Sequence, residues 1–313
     1  MSLSLPDPAD PTFMCCEMSL AVGEPLYASA TRVDVWFALE YARAPGAEAL
    51  AEADIPQTVK DHLNAALKSI PRSRLQLIRP GKERTKPDPR LHFFVAIGSP
   101  ETPTLYQFHL DSYDDVLSLD LTRIAAGDPR YEAQRTDQPL YLICINGKRD
   151  RACARFGVPV YEAISTHLAT LDLQHTVWTT SHLGGHRFAA TGVFLPNGIC
   201  YGRMTPADAA RYVDDFRAGR LALEVCRGHC GYDEPVQAAE YFLRYELEMN
   251  LLSDLRLLSV EMYDPNSWYV QFEVRGQAQS IGVRVLAEQS TFLTYKNSTD
   301  TAGSHVTVYR RLD

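Results

Sequence analysis

The chain lacks most of the signatures that announce a function. Its 313 residues contain no G-x-G-x-x-G, no P-loop, no G-x-S-x-G elbow and no H-E-x-x-H. Dinucleotide, phosphate-cradling, nucleophile-elbow and zinc-protease chemistries therefore have nothing to rest on. No two of its seven cysteines are spaced C-x-x-C, which removes a thioredoxin-type dithiol exchange centre. Cations are outnumbered, 31 Lys and Arg against 39 Asp and Glu, for a net charge of −8. That balance argues against nucleic acid or an anionic membrane surface as the main partner. The longest apolar run, Leu140–Ile145, is strand-sized and far too short to span a bilayer. No Lys or Arg precedes Arg32, so a secretory n-region is missing. An odd number of cysteines in a large chain of this kind favours reduced thiols or metal ligands over a disulfide framework. The expectation is a cytoplasmic protein.

What is present is ordinary globular composition, 45% hydrophobic, 22% charged and 10% aromatic, in a length that suggests about two domains. Residues 1–30, rich in Pro, Ser and Ala, read as an arm. Residues 31–135 read as an α/β unit. Val33, Val35 and Phe37 alternate as in a strand, and Asp54 and Pro56 introduce a helix bearing Val59, Leu63, Leu67 and Ile70 on one face. Strand-like runs follow at Leu75–Ile78, Leu91–Ile97 and Leu105–Leu110, with the charged segment Lys82–Arg90 as a solvated loop. Polar Gly127–Gln138 marks a boundary. Residues 136–233 then run strand (Leu140–Ile145), loop, helix from Pro159, strand (Thr176–Thr180), glycine turn, strand (Phe188–Leu195), and a helix capped by Thr205. This order resembles a thioredoxin-type α/β domain. Residues 234–313 read as an α+β region, with a helix at Pro235–Leu252 and four strands, and its expected role is scaffold.

Three constellations carry chemistry. Cys144 and Cys153 flank a basic loop around Gly147, one at a strand end and one at a helix entrance, where the helix N-terminus favours a thiolate. The plain alternative is a buried cysteine beside a surface loop. His182 and His186 flank Gly184-Gly185, which argues for a tight turn aiming both imidazoles at one centre; otherwise they are ordinary turn histidines. Cys226 and Cys230, with His229 between, are either a second metal site or unrelated thiols. The first two sets together supply two thiolates and two imidazoles. That donor set suits a structural zinc ion or a [2Fe–2S] cluster with two ligands on each iron. The eight-residue gap between the cysteines favours the wider object.

The sequence resembles the sucrase/ferredoxin-like family, a branch of the thioredoxin-like [2Fe–2S] ferredoxins. The resemblance rests on Cys144-x4-Arg149-Asp150-x2-Cys153, on the block Trp178–Ala189 that holds His-x-Gly-Gly-His, and on Pro196-x-Gly198 and Tyr201-Gly202-Arg203. It implies a thioredoxin-like ferredoxin domain, packed with the N-terminal α/β unit and the C-terminal α+β region. It also implies a cluster held by Cys144, Cys153, His182 and His186, and an electron carrier rather than a substrate-converting enzyme. No carboxylate pair can be placed as a glycosidase site. Cys226 and Cys230 leave open a set in which they replace the histidines.

Charge extends this reading. Two neutral imidazoles in place of thiolates take an oxidised cluster from about −2 to about 0, which raises its potential. The distal ring nitrogens would couple electron to proton transfer. Lys148, Arg149, Arg151, Arg187 and Arg203 are either solvated surface or a ring about the cluster that docks an acidic redox partner protein, and the amides of the Gly184-Gly185 turn would donate to a sulfide. The rival expectation is a structural zinc-binding or interaction protein without redox turnover.

Overall fold

Alternation and burial place the strands. In the computed structural model, which describes residues 5–81 and 89–312, β1 (Val35–Glu40) is buried on both faces. It is followed in chain order by β2 (Ser73–Arg79), β3 (Leu91–Ile97), β4 (Thr104–Leu110), β5 (Leu140–Cys144) and β6 (Val177–Thr180). Next come β7 (Gly192–Leu195), β8 (Ile199–Tyr201) and β9 (Cys226–His229). These nine strands form one sheet in the order β4-β3-β1-β2-β6-β5-β7-β8-β9. A second sheet is built from β10 (Leu255–Asp264), β11 (Ser267–Val274), β12 (Ile281–Gln289) and β13 (Thr307–Leu312), all antiparallel neighbours. The helices are α1 (Cys15–Ala21), α2 (Ala49–Glu52), α3 (Gln57–Ser69), α4 (Leu121–Ala125), α5 (Arg151–Thr170), α6 (Ala209–Arg217) and α7 (Glu234–Glu246). Of the segment read as a charged loop, residues 82–88 lie outside the described residues.

Within the large sheet, β5 and β6 are parallel with α5 as their crossover. β7 lies antiparallel on the other side of β5, and β8 pairs antiparallel with β7. The order β6-β5-β7-β8 is the thioredoxin-like arrangement. The sheet continues into the N-terminal strands through the antiparallel pair β2–β6, with Ile78 opposite Thr180. β5 is buried throughout, as expected of a central strand covered on both faces. Its two-residue period sends Tyr141 and Ile143 into a core with Val160, Ile164 and Leu168 of α5. Leu140, Leu142 and Cys144 face a second core with Trp36, Trp178 and Cys153.

Several boundaries differ from expectation. Pro159 does not introduce α5 but lies inside it, because the Asp150 carboxylate accepts from the Ala152 amide at 2.9 Å and starts the helix eight residues earlier. α3 begins after Pro56, whose missing N–H costs nothing at a helix start, while Asp54 pairs with Arg43 instead of capping. Thr205 accepts from the Asp208 amide, and the regular helix begins only at Ala209. α7 stops at Glu246; Glu248 turns left-handed at φ 53° and Arg244 donates to the Leu251 carbonyl.

Candidate metal centre

Cys144 ends β5, and Cys153 is the third residue of α5. The loop between them closes on itself. The amides of Arg149 and Asp150 reach the Asn146 carbonyl at 3.1 and 3.3 Å, and Asn146 Nδ2 donates to the Gly46 carbonyl at 2.9 Å. One turn beyond Cys153, Gly157 lets the helix lie against the end of β5: a methyl there would overlap the Cys144 carbonyl oxygen and stand 3.2 Å from its carbon. A tight loop and a close helix thus bring together two thiols that are eight intervening residues apart. The gap does not hold them wide, as the spacing suggested.

The histidine turn follows β6. Gly184 and Gly185 adopt φ of +90° and +70°, the left-handed region that glycine enters without strain. Leu183 is buried in the core shared with Cys144 and Cys153. The rings of His182 and His186 stand 4.8 Å apart. The ligand atoms of Cys144, Cys153 and His182 all lie within 4.8 Å of one another, with Cys153 Sγ 4.0 Å from His182 Nδ1.

His186 belongs to an adjoining buried group. Its ligand atom lies within 4.8 Å of those of Cys15 and Asp150. Its Nε2 meets the Lys296 carbonyl and stands 3.8 Å from Asp150 Oδ2. A carbonyl only accepts, so Nε2 carries the proton and Nδ1 keeps its lone pair. That Nδ1 is buried and has no hydrogen-bond partner among the described residues. Burial lowers the His186 pKa, which keeps the ring neutral, the state a metal ligand needs. Asp150 is itself fixed by the Ser298 amide and hydroxyl, both at 2.8 Å, and the Ser298 hydroxyl also touches Cys15 Sγ.

The electrostatics of the two cysteines are complementary. The Cys153 thiol, hydrogen-bonded to Cys144, holds Cys144 well below the ordinary thiol value, and His182 and the Asn146 amide add to this against the opposing effect of burial. Cys153 is raised by the same hydrogen bond and by burial. One thiolate thus forms readily, and a metal ion would have to displace the second proton. Cys15 behaves differently, pushed up to about 12 mainly by burial.

The other expected residues are dispersed. Lys148 is exposed, and Arg149 is exposed and pairs with Glu48 at 2.9 Å. Arg151 turns away to the Pro11 and Phe13 carbonyls and pins the N-terminal arm. Arg187 pairs with buried Glu24 at 2.7 Å, and Arg203 donates to Ser19 Oγ and the Glu24 carbonyl. Cys226 and Cys230 enter different cores, Cys226 that of α6 and Cys230 that of Trp36, whose indole donates to its Sγ at 3.3 Å. Sequence reading did not single out Cys15, Ser298 or the Lys296 carbonyl for this site. None belongs to a motif, and only Asp150, inside the quoted Cys-x4-Arg-Asp-x2-Cys, carried a signal.

Comparison with known proteins adds the following. The sequence profile described as sucrase/ferredoxin-like matches residues 26–228. Altered inheritance of mitochondria protein 32 from Debaryomyces hansenii is 28% identical over 104 residues, which is 31% of this chain and 38% of that protein. The chain therefore spans well under half the length of this relative. Two cysteine-to-serine variants of the thioredoxin-like [2Fe-2S] ferredoxin from Aquifex aeolicus superpose with TM-scores of 0.26 and 0.25 at 19% and 17% identity. Each superposition covers 28% of this chain and 96% of the ferredoxin. No helix among the described residues is long and apolar enough to cross a membrane.

Proposed function

The chain belongs to the sucrase/ferredoxin-like family, and from that premise we propose that it is an electron carrier whose [2Fe–2S] cluster is held by Cys144, Cys153, His182 and His186. The observation that carries the reading is the buried His186 Nδ1, without a partner among the described residues, on a ring 4.8 Å from that of His182, whose ligand atom groups with those of Cys144 and Cys153. A lone pair left without a donor in a protein interior is costly unless something occupies it. Bound there, the cluster would supply one-electron chemistry. The chain's own part is to exclude water and orient the donors. Cys144, Cys153 and His186 are buried, and half-buried His182 reaches toward solvent as the route of electron exchange. The Lys296 carbonyl holds the proton on His186 Nε2 and so aims Nδ1. Exposed Lys148 and the cations Arg43 and Arg79 rim the Asn146–Gly147 loop next to Cys144, which suits a redox partner protein with an acidic face.

One observation favours a second reading. Three ligand atoms within 4.8 Å of one another also suit a single tetrahedral zinc ion with a structural role. Anaerobic purification separates the two. The first reading expects a reddish-brown protein with about two iron and two acid-labile sulfide per chain. Colourless protein containing zinc and no sulfide overturns it.

A further inference from the structure

Two buried guanidiniums stand behind the histidine turn. Arg74, on β2, donates Nη2 to the His182 carbonyl at 2.8 Å. Arg227, on β9, donates Nη1 to the Gly184 carbonyl and Nε to Ser29 Oγ, both at 3.1 Å, and Nη2 to the Ser29 carbonyl. A side chain at Gly185 would place its Cβ 2.5 Å from Arg227 Nη2. Arg227 thus fills the space beside Gly185, while a Cβ at Gly184 would meet Arg74 Nη1 only in ordinary contact, 3.4 Å away.

Their charge has no carboxylate partner among the described residues. Arg227 is 4% exposed, and neither arginine forms an ion pair among the described residues. The nearby carboxylate, Glu24, is already engaged by Arg187 and by the Thr294 hydroxyl. Burial pushes Arg227 down to about 10 and lowers Arg74 as well, yet both remain charged at neutral pH. A buried charge without a counter-charge is strongly unfavourable. The anionic group that most favours the charged form of both is Cys200, followed for Arg74 by Cys144 and for Arg227 by Glu24.

Resting on the reading above, we infer that Arg74 and Arg227, hydrogen-bonded to the His182 and Gly184 carbonyls, place positive charge behind the metal centre. They are positioning residues that hold the histidine turn by its carbonyls and favour the reduced form of the bound group. Reduction adds one electron, and hence one negative charge, to that group. The electron comes from the donor protein, and both guanidiniums keep their protons throughout.

The test compares Arg74→Gln, Arg227→Gln, Arg74→Lys and Arg227→Lys with the wild-type protein, all purified anaerobically. A unit charge roughly 10 Å away in an effective dielectric of about 20 changes the reduction equilibrium on the order of tenfold, which is 59 mV for one electron. Each Gln variant should therefore become about tenfold harder to reduce. Each Lys variant, which keeps the charge but not the planar fork, should stay within about threefold of wild type. Gln variants with unchanged potentials, or Lys variants that fall as far as the Gln ones, overturn the inference. Where a Gln variant takes up no cluster, the thermal midpoint of the cluster-free protein decides. It is read against the matching Lys variant, which also loses the fork: a Gln midpoint at or above the Lys one means the charge had lacked its partner there, and a Gln midpoint below it overturns the inference. A wild-type protein without iron and sulfide would instead remove the underlying reading, by a separate measurement.

Discussion

Replacing Gly157 by alanine should destabilise the chain and also separate its ligand pair. In an exposed helix the change would gain about 1 kcal/mol, because glycine loses more backbone freedom on folding. Here the new methyl overlaps the Cys144 carbonyl oxygen, and no rotamer change relieves a clash between two backbone-fixed groups. Overpacking of this kind costs about 1–3 kcal/mol, so the two effects nearly meet and the clash wins by about 1 kcal/mol. Restoring van der Waals separation requires α5 to retreat by roughly 1 Å. Cys153, one turn earlier on the same face, moves with it. Metal ligands tolerate shifts of only about 0.2 Å, so iron and sulfide retained per chain should drop at least several-fold, while the melting midpoint falls by a few degrees. The assays are iron and sulfide content after anaerobic reconstitution and a thermal melt of the cluster-free protein. A Gly157→Ala protein that melts higher than wild type and binds the same iron would show that the helix does not press on β5 as described.

Exchanging both histidines, His182→Cys with His186→Cys, should keep a cluster but lower its potential by roughly hundreds of millivolts and flatten its pH dependence; a redox titration across pH that returns the wild-type curve rejects the histidine pair. Asp150→Ala removes the cap on Ala152 and the acceptor of two Ser298 hydrogen bonds, and should cost about 2–4 kcal/mol in urea unfolding, with an unchanged midpoint counting against it. His229, buried and accepting from the Gly231 amide at 2.9 Å, is lowered by burial to about 4 from its ordinary 6.5. The unfolded chain therefore binds the proton first as pH falls, so stability is lost between pH 6.5 and 4, by about 3 kcal/mol. His229→Gln should shrink that slope, and equal slopes for the two proteins would mean that His229 is not buried neutral.

The strands and the crossover were legible because they rest on local pattern. β5 reads as a continuous apolar run, and the alternation Val33, Val35, Phe37 marked β1, which begins at Val35 and sends Val35, Phe37 and Leu39 into one core. Helix starts were read less well, because the Asp150 cap starts α5 well before Pro159 and the Thr205 turn precedes the regular helix that begins at Ala209. The four expected ligands were legible by residue type and by the glycines between the histidines. Their unequal convergence was not, since it depends on how closely α5 approaches β5.

The sequence alone determined which groups are available: two cysteines at the ends of a strand and a helix, and two histidines across a glycine turn that only a left-handed backbone permits. The tertiary structure decided what surrounds them. The Lys296 carbonyl reaches His186 across 110 residues and Arg74 reaches His182 across 108. A carbonyl has no residue identity to read, and an arginine on a strand is unremarkable until the sheet order carries it behind the turn. Side-chain chemistry is local and written in the letters. Charge compensation and proton placement arise only when distant segments share one dry interior, where an unpaired charge or lone pair becomes expensive enough to matter.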